Sequence, residues 1–579
     1  MRKGGNTKKR DYICSRPPGR KASLRGFIGH SNAILLHIWQ FTVFHSSFIA
    51  RKPKNMKQLG KNLCLTSDVF RVLILLAGFL LLFSGAEAQK DLTRKLDDYF
   101  RKSMPAWETP GLSIAVVKDG QIIFSKGYGT LEMGKTAEPD GNTLYAIASN
   151  TKAFTATMMA MLVEEGEAGW DDKVKDYLPW FELYDPWVSR EMTLRDLLCH
   201  RSGLGTFSGD FIWYKSDLTA EEIIHRAKYL PARFGFRDGY GYSNLMFITA
   251  GEVIEKITGK SWGENLRERI LKPLGMDRTI ISPDHLTAKG NFATPHALEE
   301  GKNIPIPWTN WEEIAALGGI ISSVNDIGRW MIFNMNLGIQ GIDTLVRPAS
   351  FNQLWKLHTP FMVDHTRGND FNTHFRGYGL GWVLSDYRGK MMVSHSGAFD
   401  GMISAVAMIP EEKLGVVVLT NGLKTPVNAF SLYALDTYLG MPERDWSKEH
   451  LQSTEASQKR DTRITDRVAA RILNTHPSLP LEKYAGHYRS NIYGLITVSL
   501  DPAHKDSLRL EFEHSPGLSA TLEHWHYDVW KINWDETHAW FSFGTVKFNT
   551  TNNLEITGID FDVPNDDIFF EELKPVRVK

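Results

Sequence analysis

Strand-forming and helix-forming runs are sorted along this chain rather than mixed, and the sorting limits the fold. Gly111 to Val117 and Gln121 to Lys126 are two β-rich runs joined by Lys118-Asp119-Gly120, a hairpin signature. From Ser149 to Leu337 helical patterns dominate, interrupted by loops rich in Gly, Pro and Trp. Strand-like runs then return in a cluster: "GLGWVLS" (379–385), "MMVSHS" (391–396), "ISAVAMIP" (403–410) and "LGVVVLTN" (414–421). Strands at both ends with helices between them predict an α+β domain over 89–440, its antiparallel sheet joining the first and last parts. Residues 441–480 turn charged and polar and end in "THPSLP", the pattern of a helical connector followed by a linker. Short alternating runs over 481–579, such as "LITVSL", "LRLEF" and "VWKINW", predict a small all-β barrel or sandwich.

Composition places the chain among globular proteins, with 42% hydrophobic and 23% charged residues in 579. The formal charge of zero hides an asymmetry. Residues 1–88 hold 15 Lys and Arg against 3 Asp and Glu, so the rest carries a net charge of −12 and offers no basic patch for nucleic acid. Within the basic segment, Val72 to Phe83 is an uninterrupted apolar run, preceded by Lys57, Lys61 and Arg71 and followed by small residues at Ala86 and Ala88. This order is that of a secretory signal over 56–88 cleaved after Ala88, with an apolar core too short for a membrane span. Residues 1–55 before Met56 are then a leader or an extension of the gene model. A secreted, extracellular chain with no membrane span is the expectation. Cys14 and Cys64 fall in the removed part, which leaves Cys199 alone and without an intramolecular disulfide. One glycosylation candidate, Asn549 in Asn-Thr-Thr, suits that compartment.

Chemistry enters at "AIASNTKAF", where Ser149 stands three residues before Lys152 at the head of the apolar run Phe154 to Val163. Residues three apart on a helix share a face, and a lysine on a buried helix must find partners or lose its proton. That is the setting a serine nucleophile needs, and Ser149 heads the chain's only S-x-x-K. "RDGYGYSNLMF" supplies Tyr242 and Asn244 on a glycine-rich loop before a helix over Met246 to Ile257. A lysine and a tyrosine that depress each other's pKa can pass protons to and from such a serine. Downstream, a strand ends at His395-Ser396-Gly397-Ala398, where glycine permits close backbone approach and the next N–H can serve an oxyanion.

Ser149-x-x-Lys152, Tyr242-x-Asn244 and His395-x-Gly397 stand in the order and approximate spacing of the serine β-lactamase and penicillin-binding-protein superfamily. The chain resembles its class C and esterase-like branch over roughly 91–440, supported by "TLRDLLCHRSGL" (193–204), "LGGIISSVNDIGRWM" (317–331) and "GVVVLTNG" (415–422). The C-terminal part looks like the small β-domain often appended to such hydrolases. The resemblance implies a β-lactamase-like fold, an antiparallel sheet flanked by helices with a helical subdomain. It implies Ser149 as the acylated nucleophile, Lys152 as its activating neighbour and Tyr242 as proton shuttle. It implies that Asn244 holds the substrate amide or positions Lys152, and that the N–H groups of Ser149 and Ala398 form the oxyanion hole. His395 stands where β-lactamases carry lysine, so a fixed cation for a substrate carboxylate is missing and simple esters, small amides or peptides are the expected substrates. Lowering the pH toward 6 is expected to protonate more of His395. No cofactor is called for, and no H-E-x-x-H or paired-Cys pattern calls for a metal. Trp180, Trp187, Trp213 and Tyr214 are candidates to wall the pocket. The competing class is a catalytically silent secreted binding or extracellular-matrix protein on the same scaffold, and the sequence carries no signal of oligomeric state.

Overall fold

A computed structural model describes residues 89–341, 343–366 and 368–578. The leader and signal segments, 1–55 and 56–88, lie outside the described residues. The chain enters through a helix over 89–107 (α1) and the hairpin of Gly111–Lys118 (β1) and Gln121–Gly129 (β2). The later strands of the same sheet are Thr359–Phe361 (β3), Arg376–Tyr378 (β4), Val383–Tyr387 (β5), Lys390–Phe399 (β6), Met402–Ile409 (β7) and Leu414–Thr420 (β8). They form one eight-stranded antiparallel sheet in the order β2-β1-β8-β7-β6-β5-β4-β3. Its closure pairs β1 with β8, Leu112 opposite Thr420 and Val116 opposite Val416, so the sheet does join the two ends of the domain.

The continuous apolar run of β8 follows from burial on both faces. Leu112, Ile114, Val116, Val416 and Val418 pack with Leu96, Phe100 and Trp107 of α1 and with Phe430 of the helix Val427–Tyr438. Ala115, Val117, Val417 and Leu419 face the other core. That second core encloses the helix Thr151–Glu165 (α2), which is buried on all sides from Thr151 to Leu162. Phe154 of α2 stacks on Trp330 at 3.9 Å, and α2 ends at Gly166 with φ +82°.

One expected strand is shorter than its sequence suggests. In "GLGWVLS" the strand begins only at Val383, because Gly381 turns at φ +73°, where a Cβ would stand 2.7 Å from the Lys152 carbonyl oxygen. Beyond the sheet domain, helices Trp446–Arg460 and Arg463–Ala469 lead to eight antiparallel strands between Gly486 and Arg577. These close into a barrel rather than a two-sheet sandwich. Asn549 lies on a barrel strand, where its amide donates to Asp560 Oδ2 at 2.9 Å. Among the described residues no helix is long and apolar enough to cross a membrane.

Candidate active site

Ser149 sits in a single 3-10 turn, Ala148–Asn150, that feeds directly into α2. Ala148 just before it holds φ at +46°, a conformation that costs a Cβ-bearing residue energy and that the surroundings must enforce. The enforcement comes from β7. The Asn150 amide donates to Ser404 Oγ at 2.8 Å, and the Ser404 hydroxyl donates to the Ile147 carbonyl at 2.7 Å. The turn is thereby stapled to the sheet with its serine facing a cavity.

Lys152, on the first turn of α2, is fully buried and places Nζ 3.0 Å from Ser149 Oγ and 2.7 Å from the Leu317 carbonyl. Burial lowers its pKa to about 7, against an opposing pull from Asp210. Its amine also lies 5.0 Å from the ring centre of Tyr242. The Tyr242 phenol behaves differently from the mutual depression expected: burial pushes its pKa well above the usual tyrosine range, and its hydrogen bond with Ser149 offsets this only in part. The loop bearing Tyr242 is held by His200, whose Nδ1 accepts the Ser243 N–H at 3.0 Å and whose ring lies 4.2 Å from the tyrosine ring. Asn244 opens the helix Asn244–Thr258 (α3), two residues earlier than the sequence pattern indicates. Its Nδ2 donates to Asp210 Oδ2 at 2.6 Å, while its buried Oδ1 has no partner.

Strand β6 passes directly over the serine turn. A Cβ on Gly397 would fall 2.3 Å from the Ile147 oxygen and 2.9 Å from the Ser149 nitrogen, so only glycine allows this approach. Ala398 stands opposite Ile403, one step from the Phe399–Met402 pair that closes a two-residue turn. Alternation of the antiparallel ladder makes this a position whose N–H points away from its partner strand. On that side β5 pairs with β6 no further than Ser394, which leaves the Ala398 N–H unclaimed by the sheet.

His395 is buried and fully partnered as a neutral ring. Its Nδ1 lies 2.6 Å from the Ser396 carbonyl, which can only accept, so Nδ1 carries the proton and Nε2 accepts from the Tyr378 hydroxyl at 2.8 Å. Burial, with the Lys152 charge nearby, lowers its pKa to about 3. The expectation of appreciable protonation at pH 6 is therefore wrong, because removing this ring from water disfavours its cation.

Ser149, Tyr242, Asn244, His395, Gly397 and Ala398 line one cavity of about 490 Å³, with Lys152 reaching Ser149 beneath it. Of the four aromatic residues expected to wall it, Trp213 does, beside Trp311 and Tyr240. Trp180 instead packs on His225, Trp187 is exposed against Phe236, and Tyr214 is buried against Asp400 and Phe541. Sequence reasoning also gave no role to Asp210, which holds Asn244, to Tyr378, which bonds His395, or to His200, which holds the Tyr242 loop and lies in the quoted stretch 193–204; Asp210 and Tyr378 line the cavity as well. It missed Trp540, Asp567 and Ile568, which the C-terminal barrel contributes to the cavity.

This fold and this grouping of serine, lysine and tyrosine define a class, and comparison with known proteins agrees. The β-lactamase family model matches residues 96–439, and a model for a domain of unknown function, DUF3471, matches 470–576. The chain belongs to the β-lactamase family and is a serine hydrolase. It is similar to an unguisins hydrolase of Aspergillus campestris, 29% identical over 439 residues that span 71% of this chain and 78% of that protein. It is also similar to penicillin-binding protein 4 of Amycolatopsis lactamdurans, 26% identical over 54% of this chain and 81% of the relative. The octameric penicillin-binding protein homologue of Pyrococcus abyssi shares the fold, with a TM-score of 0.54 at 24% identity over 83% of this chain and 99% of its own.

Proposed function

We propose that the chain is a secreted hydrolase of simple esters and small amides or peptides, working through an acyl-enzyme on Ser149. The observation that carries this reading is the desolvated Lys152 amine, with a pKa of about 7, 3.0 Å from the serine hydroxyl. In its neutral form Lys152 takes the Ser149 proton as Oγ attacks the substrate carbonyl. The N–H groups of Ser149 and Ala398 receive the oxyanion. Tyr242, protonated at rest, gives its proton to the departing oxygen or nitrogen and is reprotonated from the Lys152 ammonium. The same pair then draws a proton from water for deacylation. Asn244 Oδ1, without a partner, is available to a substrate N–H. Secretion rests on the basic, apolar and small-residue order of residues 57 to 88.

The substrate class follows from charge. His395 is neutral, and among the described residues neither arginine nor lysine lines the cavity to meet a carboxylate. A charge-assisted hydrogen bond contributes about 1.5 to 3 kcal/mol, so its lack costs an anionic β-lactam roughly ten- to a hundredfold. The test is kcat/KM for a short-chain aryl ester and a chromogenic cephalosporin. The wild type should favour the ester, and Ser149→Ala should lose both activities. A preference for the cephalosporin, or turnover undiminished in Ser149→Ala, would overturn the reading. Mass spectrometry of native material should find a chain beginning at Gln89, and a mature protein retaining residues 1–55 would overturn the secretory part.

A further inference from the structure

The C-terminal barrel reaches into the catalytic cavity with two loops. One, between the strands Val529–Trp534 and Thr545–Thr550, brings Trp540. The other, following the strand Ile556–Asp562, brings Asp567 and Ile568. The second loop is firmly built. Asn565 Oδ1 accepts the N–H groups of Asp567 and Ile568 at 3.0 and 2.6 Å, and its Nδ2 donates to the carbonyls of Val563 and Ile568. Just beyond it, Phe570 packs 4.8 Å from Phe211, and Glu572 accepts from the Ser208 hydroxyl at 2.6 Å and the Gly209 N–H at 2.7 Å. Asp567 is thus held at the cavity by the same contacts that dock the barrel.

Its neighbours' charges are spoken for, and its own is not. Asp566 pairs with Arg463 at 2.7 Å. Asp210, the other carboxyl lining the cavity, accepts from Asn244 and from Trp213 Nε1, and burial drives it toward its neutral form. Lys152 is engaged by Ser149 and Leu317. Among the described residues no donor or cation pairs with the Asp567 carboxylate. The same cavity is lined by Trp213, Trp311, Tyr240 and Trp540, and aromatic ring faces attract cations.

We propose that Asp567 is a specificity residue, contributed by the barrel, that selects substrates bearing a positively charged amine. The carboxylate supplies the counter-charge and the aromatic walls seat the ammonium group while the carbonyl lies at Ser149. This inference deepens the hydrolase reading above and rests on it. It also gives the appended barrel a chemical task in the site.

The test separates binding from turnover. Two p-nitrophenyl esters of equal length serve as probes, one ending in a trimethylammonium group and the other in its neutral tert-butyl isostere. Affinities are measured by tryptophan fluorescence on full-length Ser149→Ala protein at pH 8. Burial and Asp566 raise the Asp567 carboxyl to about 6, so it is ionised there. The cationic ester should bind about tenfold more tightly than its isostere. Adding Asp567→Asn should bring the ratio to about one, and adding Asp567→Glu, which keeps the charge, should restore a preference for the cation. Equal affinities in the Ser149→Ala protein, or a preference that persists with Asp567→Asn, would overturn the assignment. Wild-type turnover of the neutral ester is read separately. Its absence would count against the hydrolase reading, whereas the affinity ratio alone decides the role of Asp567.

Discussion

Burial lowers the Lys152 amine to a pKa of about 7, and for an uncharged ester this residue sets the acid limb of the pH profile. The neutral amine accepts the Ser149 proton and the ammonium cannot. Protonation rises as pH falls through about 7, so kcat/KM for an uncharged ester should drop about tenfold per pH unit well below that value and level off above it. No falling limb should appear below pH 9, because burial holds the Tyr242 phenol protonated there. A pH-rate profile of the wild type checks both limbs; a profile flat from pH 5 to 8 would remove Lys152 from the proton path. Lys152→Ala should lower kcat/KM by at least about a hundredfold. That His395 is the neutral counterpart of a lysine was legible in its motif, but its resistance to protonation near pH 6 was not. That follows from a degree of burial that local sequence does not encode, in a site where Tyr378 reaches Nε2 from two strands away.

At the scale of elements, the site is a meeting of one helix start, one loop and one strand, and the close approach of strand to helix is its tightest constraint. Gly397→Ala would drive a methyl group into the Ile147 carbonyl and the Ser149 nitrogen. Because the strand or the turn must then move, the oxyanion donors lose their alignment, and kcat/KM should fall by about a hundred- to a thousandfold. Far-UV circular dichroism should be unchanged, since β6 keeps its pairing with β7; activity within tenfold of wild type would mean the donors lie elsewhere. The sheet strands near Gly111, Lys390, Met402 and Leu414 were legible because alternation and continuous β-branched runs are local properties. So was the helix headed by Ser149 and Lys152. The strand near Gly379 was overread, because its glycines serve a turn against the Lys152 backbone that only the tertiary fold reveals. The aromatic wall was mostly misread for a similar reason: a tryptophan's type says that it will be buried, and its partners decide where.

The barrel and the sheet domain behave as one body at the scale of the molecule. The barrel's apolar residues and those of the core around α2 form one continuous cluster, in which Phe211 touches Tyr493, Phe512 and Phe570. Unfolding in urea should therefore give coincident transitions by near-UV circular dichroism and by tryptophan fluorescence. Glu572→Ala would leave the Ser208 hydroxyl and the Gly209 N–H without their acceptor at a buried junction, costing about 1 to 3 kcal/mol. Two separated transitions in the wild type, or a Glu572→Ala protein as stable as wild type, would show that the barrel is only tethered. The sequence indicated a second β-domain but not its place over the cavity, because Trp540, Asp567 and Ile568 are brought there by packing between segments hundreds of residues apart.

Whether Ser149 is a nucleophile activated by Lys152 is decided by covalent labelling. Native protein is treated with a fluorophosphonate, digested, and mapped by mass spectrometry. One adduct is expected, on the peptide carrying Ser149, absent from Ser149→Ala and formed far more slowly in Lys152→Ala. An adduct on another residue with Ser149 unmodified, or labelling of Ser149→Ala at the wild-type rate, would contradict it.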